Sequence, residues 1–438
     1  LLRYARARGV LRAAAGILGL GLILWAAKPA ARPLMILPGD SHAAGEVLVK
    51  YRDGDRAAAA ERHHQRLGTR TLKFFEAQGL HRIQLPDDMD VKDALELFRQ
   101  DPRVEYAEPN YFRRLGRIPN DASYSSLWGL FKINAPGAWD LTTDCSSVVV
   151  AVIDSGVDYE HPDLAADIWV NPDEIAGNGL DDDANGRLED IRGWDFAYED
   201  NDPMDVIGHG THVAGTIGAV GDNALGVTGL CWEAKIMALR AFDDDGNTTV
   251  ADTIEAMEYA RLNGAKIVNA SYADREFSQA EKDMIAQLNS DGILFVAAAG
   301  NEGVDSDQTP SYPAGYHLPN IIAVAASNEN DGLASFSNFG LVNVHVAAPG
   351  DGVFSTYPDD GYGSSSGTSM AAPHVSGLAA LVWGSNPGLS AVQVKDRILD
   401  GADRMANLEG FIFTAGAINA SNSVRNIPAP PSSFTAAG

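Results

Sequence analysis

From Val148 onward the chain keeps returning to one pattern, a short and wholly apolar run that stops at turn residues. The runs are VVVAVIDSG from Val148, AKIMALRAF from Ala234, AKIVNASY from Ala265, GILFVAAAGN from Gly292 and NIIAVAAS from Asn320. A strand with one face in water alternates polar and apolar residues, whereas a strand apolar throughout is covered on both faces. Stretches with helical spacing lie between several of these runs, such as Val250, Ile254 and Met257 on one face, and Phe277 to Leu288. Such alternation predicts an α/β fold, a mostly parallel sheet covered by helices on both faces. In such sheets active residues gather beyond the carboxyl ends of the strands. That rule singles out Asp154, Ser271 and Asn301.

A chain of 438 residues is long enough for two or three units, and residues 46–112 read as one of their own. EVLVKY and LHRIQLP are short strands, AAAAERHHQRLG is a helix ending at Gly68, and VEYAEPNY is extended. In DVKDALELFRQDP the apolar Val91, Ala94, Leu95 and Phe98 fall at helical spacing. Two helices among short strands predict a small α+β domain. Residues 427–438, NIPAPPSSFTAAG from Asn426 on, are rich in Pro and Ser and read as a linker tail.

Charge is uneven along the chain. Residues 1–34 carry six basic residues and no acidic one, with fifteen uncharged residues from Ala13 to Ala27. That apolar run is short of the roughly 20 residues a membrane-spanning helix needs. It reads as a secretory signal, with an uncleaved anchor as the alternative, so a membrane matters here only for export. Residues 113–438 hold 16 Lys and Arg against 45 Asp and Glu, a net charge of −29. A body so acidic repels nucleic acid.

Chemistry is suggested by four separated stretches. Asp154 closes a buried strand; His209 sits among glycines in GHGTHVAGTIGAV, where another chain segment can come close. Ser369 in GTSMAAPHVSGLAAL stands at a helix start, where free N–H groups favour developing negative charge. Asn301 follows FVAAAG and can aim an amide at an oxyanion. Each has an ordinary structural reading alone. Together they form one mechanism: His209 takes the Ser369 proton, Asp154 orients the imidazole, and Asn301 with the Ser369 N–H holds the tetrahedral oxyanion. GSSSG at Gly363–Gly367 satisfies the G-x-S-x-G pattern, but the sequence suggests no strand leading into it and no acid-then-histidine order follows. His209 and His212 lack any H-E-x-x-H context for a metal. His212 and His374 read as buried, hydrogen-bonded structural histidines.

In NGLDDDANGRLED, Asn178–Asp190, oxygens recur at alternate positions: Asp181, Asp183, Asn185, then Asp190. The spacing matches the first half of an EF-hand loop, although Arg192 stands where the closing Glu belongs. A calcium site and a solvated turn both remain open. Cys145 and Cys231 are the only cysteines; pairing and two buried free thiols are equally open.

VIDSGVD, GHGTHVAG, AAAGNEG and GTSMAAPHVSG resemble the Asp, His, oxyanion-hole and Ser motifs of the subtilisin-like serine proteases, the thermitase-like branch above all. The resemblance runs over residues 119–426, and residues 46–112 resemble the family's inhibitory propeptide, a ferredoxin-like domain. It implies a secreted serine endopeptidase made as a zymogen, a monomer acting on polypeptide substrates and held by its own propeptide. The triad would be Asp154, His209 and Ser369, with Asn301 as oxyanion donor; the competing reading is a catalytically inactive relative that binds through the same fold. By the same resemblance the substrate groove has edges Gly246-Asn247-Thr248 and Ser271-Tyr272-Ala273, with Ala298, Ala299 and Gly300 lining the specificity pocket. Where the family usually has two glycines this chain has Ala273-Asp274, and with Glu302 and Asp243–Asp245 the groove gains negative charge, which points to tolerance of basic residues. Asp121, Asp163 and Asn223 match side-chain ligands of the family's strong calcium site, completed by the carbonyls of Val220, Leu225 and Val227. Asp195 and Asp202 resemble a weaker third site. Family strand order would set Cys145 and Cys231 at the same end of neighbouring strands, where a disulfide becomes a hypothesis.

Overall fold

The computed structural model describes residues 42–52, 56–111 and 116–426. The expected export segment and linker tail lie outside the described residues. The chain divides into two compact units, residues 1–112 and 113–438.

The first unit contains β1 (His42–Tyr51), α1 (Arg56–Leu67), β2 (Arg70–Phe75), β3 (Leu80–Gln84), α2 (Val91–Arg99) and β4 (Val104–Tyr111). The strands form one antiparallel sheet in the order β2-β3-β1-β4. Its core joins Val47, Val49 and Tyr51 of β1 and Ile83 of β3 to Ala94, Leu95 and Phe98 of α2. Asp90 caps α2 by accepting from the Lys92 N–H, and the helical spacing read from the sequence is its buried face.

The second unit begins with the short helices α3 (Trp128–Lys132) and α4 (Ala135–Trp139). Next come β5 (Asp144–Asp154), β6 (Gly193–Asp195), α5 (His209–Gly218), β7 (Glu233–Arg240), α6 (Val250–Leu262) and β8 (Ile267–Ala270). Then follow α7 (Gln279–Ser290), β9 (Leu294–Ala298), β10 (Ile321–Ser327), β11 (Val346–Pro349) and a hairpin of β12 (Val353–Tyr357) and β13 (Gly361–Ser365). It closes with α8 (Thr368–Ser385), α9 (Ala391–Asp400), β14 (Asp403–Arg404), β15 (Gly416–Ala417) and α10 (Ala420–Arg425). The main sheet runs β14-β15-β11-β10-β9-β8-β5-β7-β6, parallel except where β14 meets β15.

The continuous apolar strands are explained by two cores, one on each face. Val150 and Val152 of β5 pack with Val213 and Ile217 of α5 and Leu378 and Val382 of α8. Their neighbours Ala151 and Ile153 point the other way, against Met257 and Ala260 of α6 and Ile285 and Leu288 of α7. Burying a valine, leucine or isoleucine contributes about 1.5–3 kcal/mol each, so both layers are needed to hold the sheet.

Two details depart from the spacing read in sequence. The inward face of α6 carries Thr253, Ala256, Met257 and Ala260, while Val250 is 45 % exposed at the helix start. There Thr249 and Asp252 form a capping box, so capping rather than burial decides that position. Phe277 lies ahead of its helix, because the Ser278 side chain accepts from the Glu281 N–H and fixes the start at Gln279. Cys145 and Cys231 form a disulfide, with Cα atoms 5.9 Å apart, joining the start of β5 to the residues just ahead of its neighbour β7.

Candidate active site

The carboxyl ends of β5, β7, β8 and β9 deliver one residue set each. Asp154 closes β5, and its Oδ1 accepts from His209 Nδ1 at 2.7 Å and from the Ser155 N–H at 2.8 Å. Asp154 is buried, whereas the imidazole keeps 37 % of its surface open. Burial opposes charge on His209, but the charges of Asp154 and Asp205 and the bond to Asp154 together raise its pKa above 6.5. Gly210 is obligatory: a Cβ there would lie 2.0 Å from the Gly156 carbonyl and 3.0 Å from Asp154 Cβ. Only glycine lets α5 approach β5 so closely.

Sequence reasoning missed the group that anchors this approach. Asp205 is 2 % exposed and its two oxygens accept five bonds. Oδ1 takes Ser155 Oγ, the Ile207 N–H and the Gly208 N–H, while Oδ2 takes the Thr211 N–H and hydroxyl. The N-cap residue Gly208 has no side chain to cap α5, so Asp205 satisfies the orphan donors of that helix start instead. Ser155 Oγ in turn accepts from the Gly210 N–H, tying the residue after Asp154 to the residue after His209. An acid four residues ahead of a histidine, in a loop of no evident periodicity, was the only available signal.

Ser369 is the second residue of α8. Its hydroxyl donates to the Ser271 carbonyl at 2.8 Å, rather than to His209, while Ser271 Oγ donates to the Ser369 carbonyl at 2.9 Å. Asn301 Oδ1 accepts from the Thr368 N–H at 2.8 Å and the Thr368 hydroxyl at 2.9 Å. A backbone N–H can only donate, so the oxygen must face Thr368 and the Asn301 NH₂ must face away from it. That nitrogen and the Ser369 nitrogen each lie 3.6 Å from where a Gly367 Cβ would stand. Gly300 donates its own N–H to Thr368 Oγ1, so β9 and α8 are clasped at this point. Pro373 is the sixth residue of this helix and lies inside it.

The residues expected to form the groove lie at or just beyond strand ends. Gly246 and Asn247 close the Asp243–Asn247 turn beyond β7, and Thr248 follows it. Ser271, Tyr272 and Ala273 are an extended segment beyond β8, with the Tyr272 ring 5.4 Å from that of Phe242 beyond β7. Ala298 and Ala299 are buried at the end of β9. Asp274 pairs with Tyr312 through both backbone bonds, and Glu302 is held by Asn338 Nδ2 at 2.7 Å.

Two clusters suit a hard cation, which prefers many oxygen ligands. In one, Asp121 Oδ1 is buried without a hydrogen-bond partner, and burial first, with Asp163 adding, raises the Asp121 pKa. Asn223 Nδ2 meets Asp163 Oδ1 at 2.6 Å, and the Val227 N–H and Tyr362 hydroxyl meet Asp163 Oδ2. Val220 donates to the Asp163 carbonyl, and the Leu225 carbonyl accepts from Ala122, so all six expected residues lie together. In the other, Glu174, Asp183 and Asp190 bring ligand atoms within 4.8 Å of one another, the one such acidic group among the described residues. Glu174 Oε2 is buried and unpartnered. Asn171 and Asn185 donate into Asp183 and Asp190, and the Tyr259 hydroxyl reaches Asp190 Oδ2 at 2.6 Å. Asp181 turns both oxygens to the loop's own Asn185 and Gly186 N–H groups. Glu174 and Asn171 come from outside the sequence run and were not foreseen. Asp195 accepts from Arg240 and from loop N–H groups, and Asp202 takes the Tyr159 hydroxyl.

The fold and strand-end residues are those of a serine-type endopeptidase with a subtilisin-like domain behind a prodomain. Residues 146–423 match the subtilase family, and residues 30–110 match the fervidolysin N-terminal prodomain. The chain belongs to the subtilase family. It is 38 % identical over 336 residues to a thermophilic serine proteinase of Bacillus sp. (strain AK1), covering 76 % of each chain. It is 37 % identical over 308 residues to thermitase of Thermoactinomyces vulgaris, covering 70 % of this chain and 99 % of that one. Among solved structures, a protease from Pseudoalteromonas arctica PAMC 21717 aligns with a TM-score of 0.60 at 28 % identity, over 71 % of this chain and all of that one.

Proposed function

We propose that the chain is the precursor of a secreted, calcium-stabilised endopeptidase whose catalytic groups are Asp154, His209, Ser369 and Asn301. The observation that carries this is the 2.7 Å bond from His209 Nδ1 to a buried Asp154, which fixes the tautomer with Nε2 free to act as base. In the cycle the Ser369 hydroxyl rotates from the Ser271 carbonyl to His209 Nε2, which accepts its proton as Oγ attacks the scissile carbonyl. The oxyanion is met by the Ser369 N–H and the Asn301 NH₂, and His209 then returns the proton to the leaving amine. Substrate lies as an added strand between 246–248 and 271–273, with Ala298–Gly300 receiving the side chain before the cleaved bond. Glu302 and Asp274 favour Lys or Arg there; a peptide-library profile no richer in basic than in aromatic residues refutes that preference.

Residues 46–112 are the intramolecular inhibitor and folding aid that is cut away, 119–426 the peptidase domain, and 1–34 the export signal. Calcium would be held by Asp121, Asp163, Asn223 and the carbonyls of Val220, Leu225 and Val227. A second ion would be held by Glu174, Asp183, Asp190 and Asn185. Bound calcium supplies only fixed positive charge, offsetting the mutual repulsion of these carboxylates. The deciding experiment is labelling with a serine-reactive fluorophosphonate probe after incubation with calcium. Labelling that disappears in Ser369→Ala supports catalysis; a chain that never labels is the inactive binding relative.

A further inference from the structure

Pro373 poses a problem that its neighbours solve. In an α-helix the N–H of residue i bonds to the carbonyl of residue i−4, so residue 373 serves residue 369. Proline has no N–H to give. The nucleophile's own carbonyl is therefore left without its helical partner, in a part of α8 where every residue from Met370 to Trp383 is buried. That carbonyl instead accepts from Ser271 Oγ at 2.9 Å. Ser271 Oγ is itself fixed from behind, accepting from Asn269 Nδ2 at 2.9 Å. Asn269 Oδ1 accepts from Ser376 Oγ at 2.8 Å, which brings the chain of bonds back to α8. Asn269 and Ser376 are fully buried and Ser271 is 3 % exposed.

We infer that the Ser271 side chain is a positioning residue for the nucleophile, standing in for the helical hydrogen bond that Pro373 deletes, with Asn269 and Ser376 holding it in place. The Ser369 peptide carries both Oγ and the N–H that meets the oxyanion, so its placement acts on the chemical step more than on substrate binding. Two bonds join the pair in the resting enzyme. The one from Ser369 Oγ to the Ser271 carbonyl breaks when the hydroxyl turns to His209, whereas the one from Ser271 Oγ persists through the cycle. Of the two, the persistent bond is the positioning one.

This inference rests on Ser369 being the nucleophile, and the test separates the two. Fluorophosphonate labelling of the parent chain comes first; a parent that does not label sinks the catalytic reading itself. With labelling established, kcat is measured per labelled site on a peptide amide for Ser271→Ala, Pro373→Ala and the double variant. Ser271→Ala removes the side-chain donor to the Ser369 carbonyl, and kcat is expected to fall about tenfold with KM within about twofold of the parent. Pro373→Ala restores an N–H aimed at that carbonyl, so the double variant is expected to regain at least about threefold of the loss. A merely structural serine would lower the melting temperature or the labelled fraction and leave kcat per site unchanged. Unchanged kcat in Ser271→Ala, or a double variant no better than the single, overturns the inference. Should Ser271→Ala not fold, recovery of folded, labelling-competent protein on adding Pro373→Ala supports it, and failure of both variants overturns it.

Discussion

Asn301 offers the sharpest separation of catalysis from stability, because its two side-chain atoms do different work. Oδ1 accepts from the Thr368 N–H and hydroxyl and so helps satisfy the start of α8, while in the proposed mechanism the NH₂ meets the oxyanion. Asn301→Ala removes both functions. Loss of an oxyanion-hole donor costs about 3 kcal/mol in the barrier, a magnitude general to such donors, so kcat should fall roughly 10²–10³-fold with KM little changed. Orphaning the Thr368 donors should also destabilise the fold by about 1–3 kcal/mol. Asn301→Asp separates the functions. A carboxylate keeps an acceptor for Thr368 and places negative charge at a helix N-terminus, worth about 0.3–1 kcal/mol in its favour. The same variant points an acceptor where the oxyanion forms. Its melt should match or exceed the parent's while kcat falls at least as far as in Asn301→Ala. The assay is kcat per labelled active site on a chromogenic peptide amide, with melts recorded on inhibited enzyme to prevent self-digestion. An Asn301→Asp enzyme within tenfold of parental kcat would falsify the oxyanion assignment.

Three further outcomes are expected. His209 must be neutral to act as base, and although burial opposes its charge, Asp154 and Asp205 raise its pKa above 6.5. Activity should therefore be lost as pH falls through a midpoint above 6.5; in Asp205→Asn that midpoint should move down, and an unmoved acid limb of kcat/KM counts against the coupling. Chelation should lower the melting temperature, since an ion at about 100 times its dissociation constant adds about 2.7 kcal/mol. In Glu174→Gln part of that calcium response should vanish, and identical melts with calcium and with chelator refute both proposed sites. The disulfide closes a segment with a sequence separation of 86, for which chain entropy allows a stabilisation of about 4–5 kcal/mol at most. Cys145→Ser with Cys231→Ser should melt well below the parent, and an unaltered melt shows that the reduced chain is equally constrained.

Much of this protein is written in local sequence. Strands apolar at every position could only be covered on both faces, and Val150 and Val152 indeed face one core while Ala151 and Ile153 face the other. Asp154, His209, Asn301 and Ser369 stood out as candidates because each carries its own short signature at the end of a strand or the start of a helix. What the sequence left open depended on partners distant along the chain. Periodicity placed Val250 on a buried face, but the cap at Thr249 exposed it. The acidic loop announced Asp183 and Asp190, yet Glu174 and Asn171 joined them only once the chain had turned back. Asp205 reads as one acid among many until five donors converge on it. Hydrogen bonds between segments have no periodicity to betray them, so only tertiary structure could reveal that Ser271 serves the carbonyl Pro373 abandons.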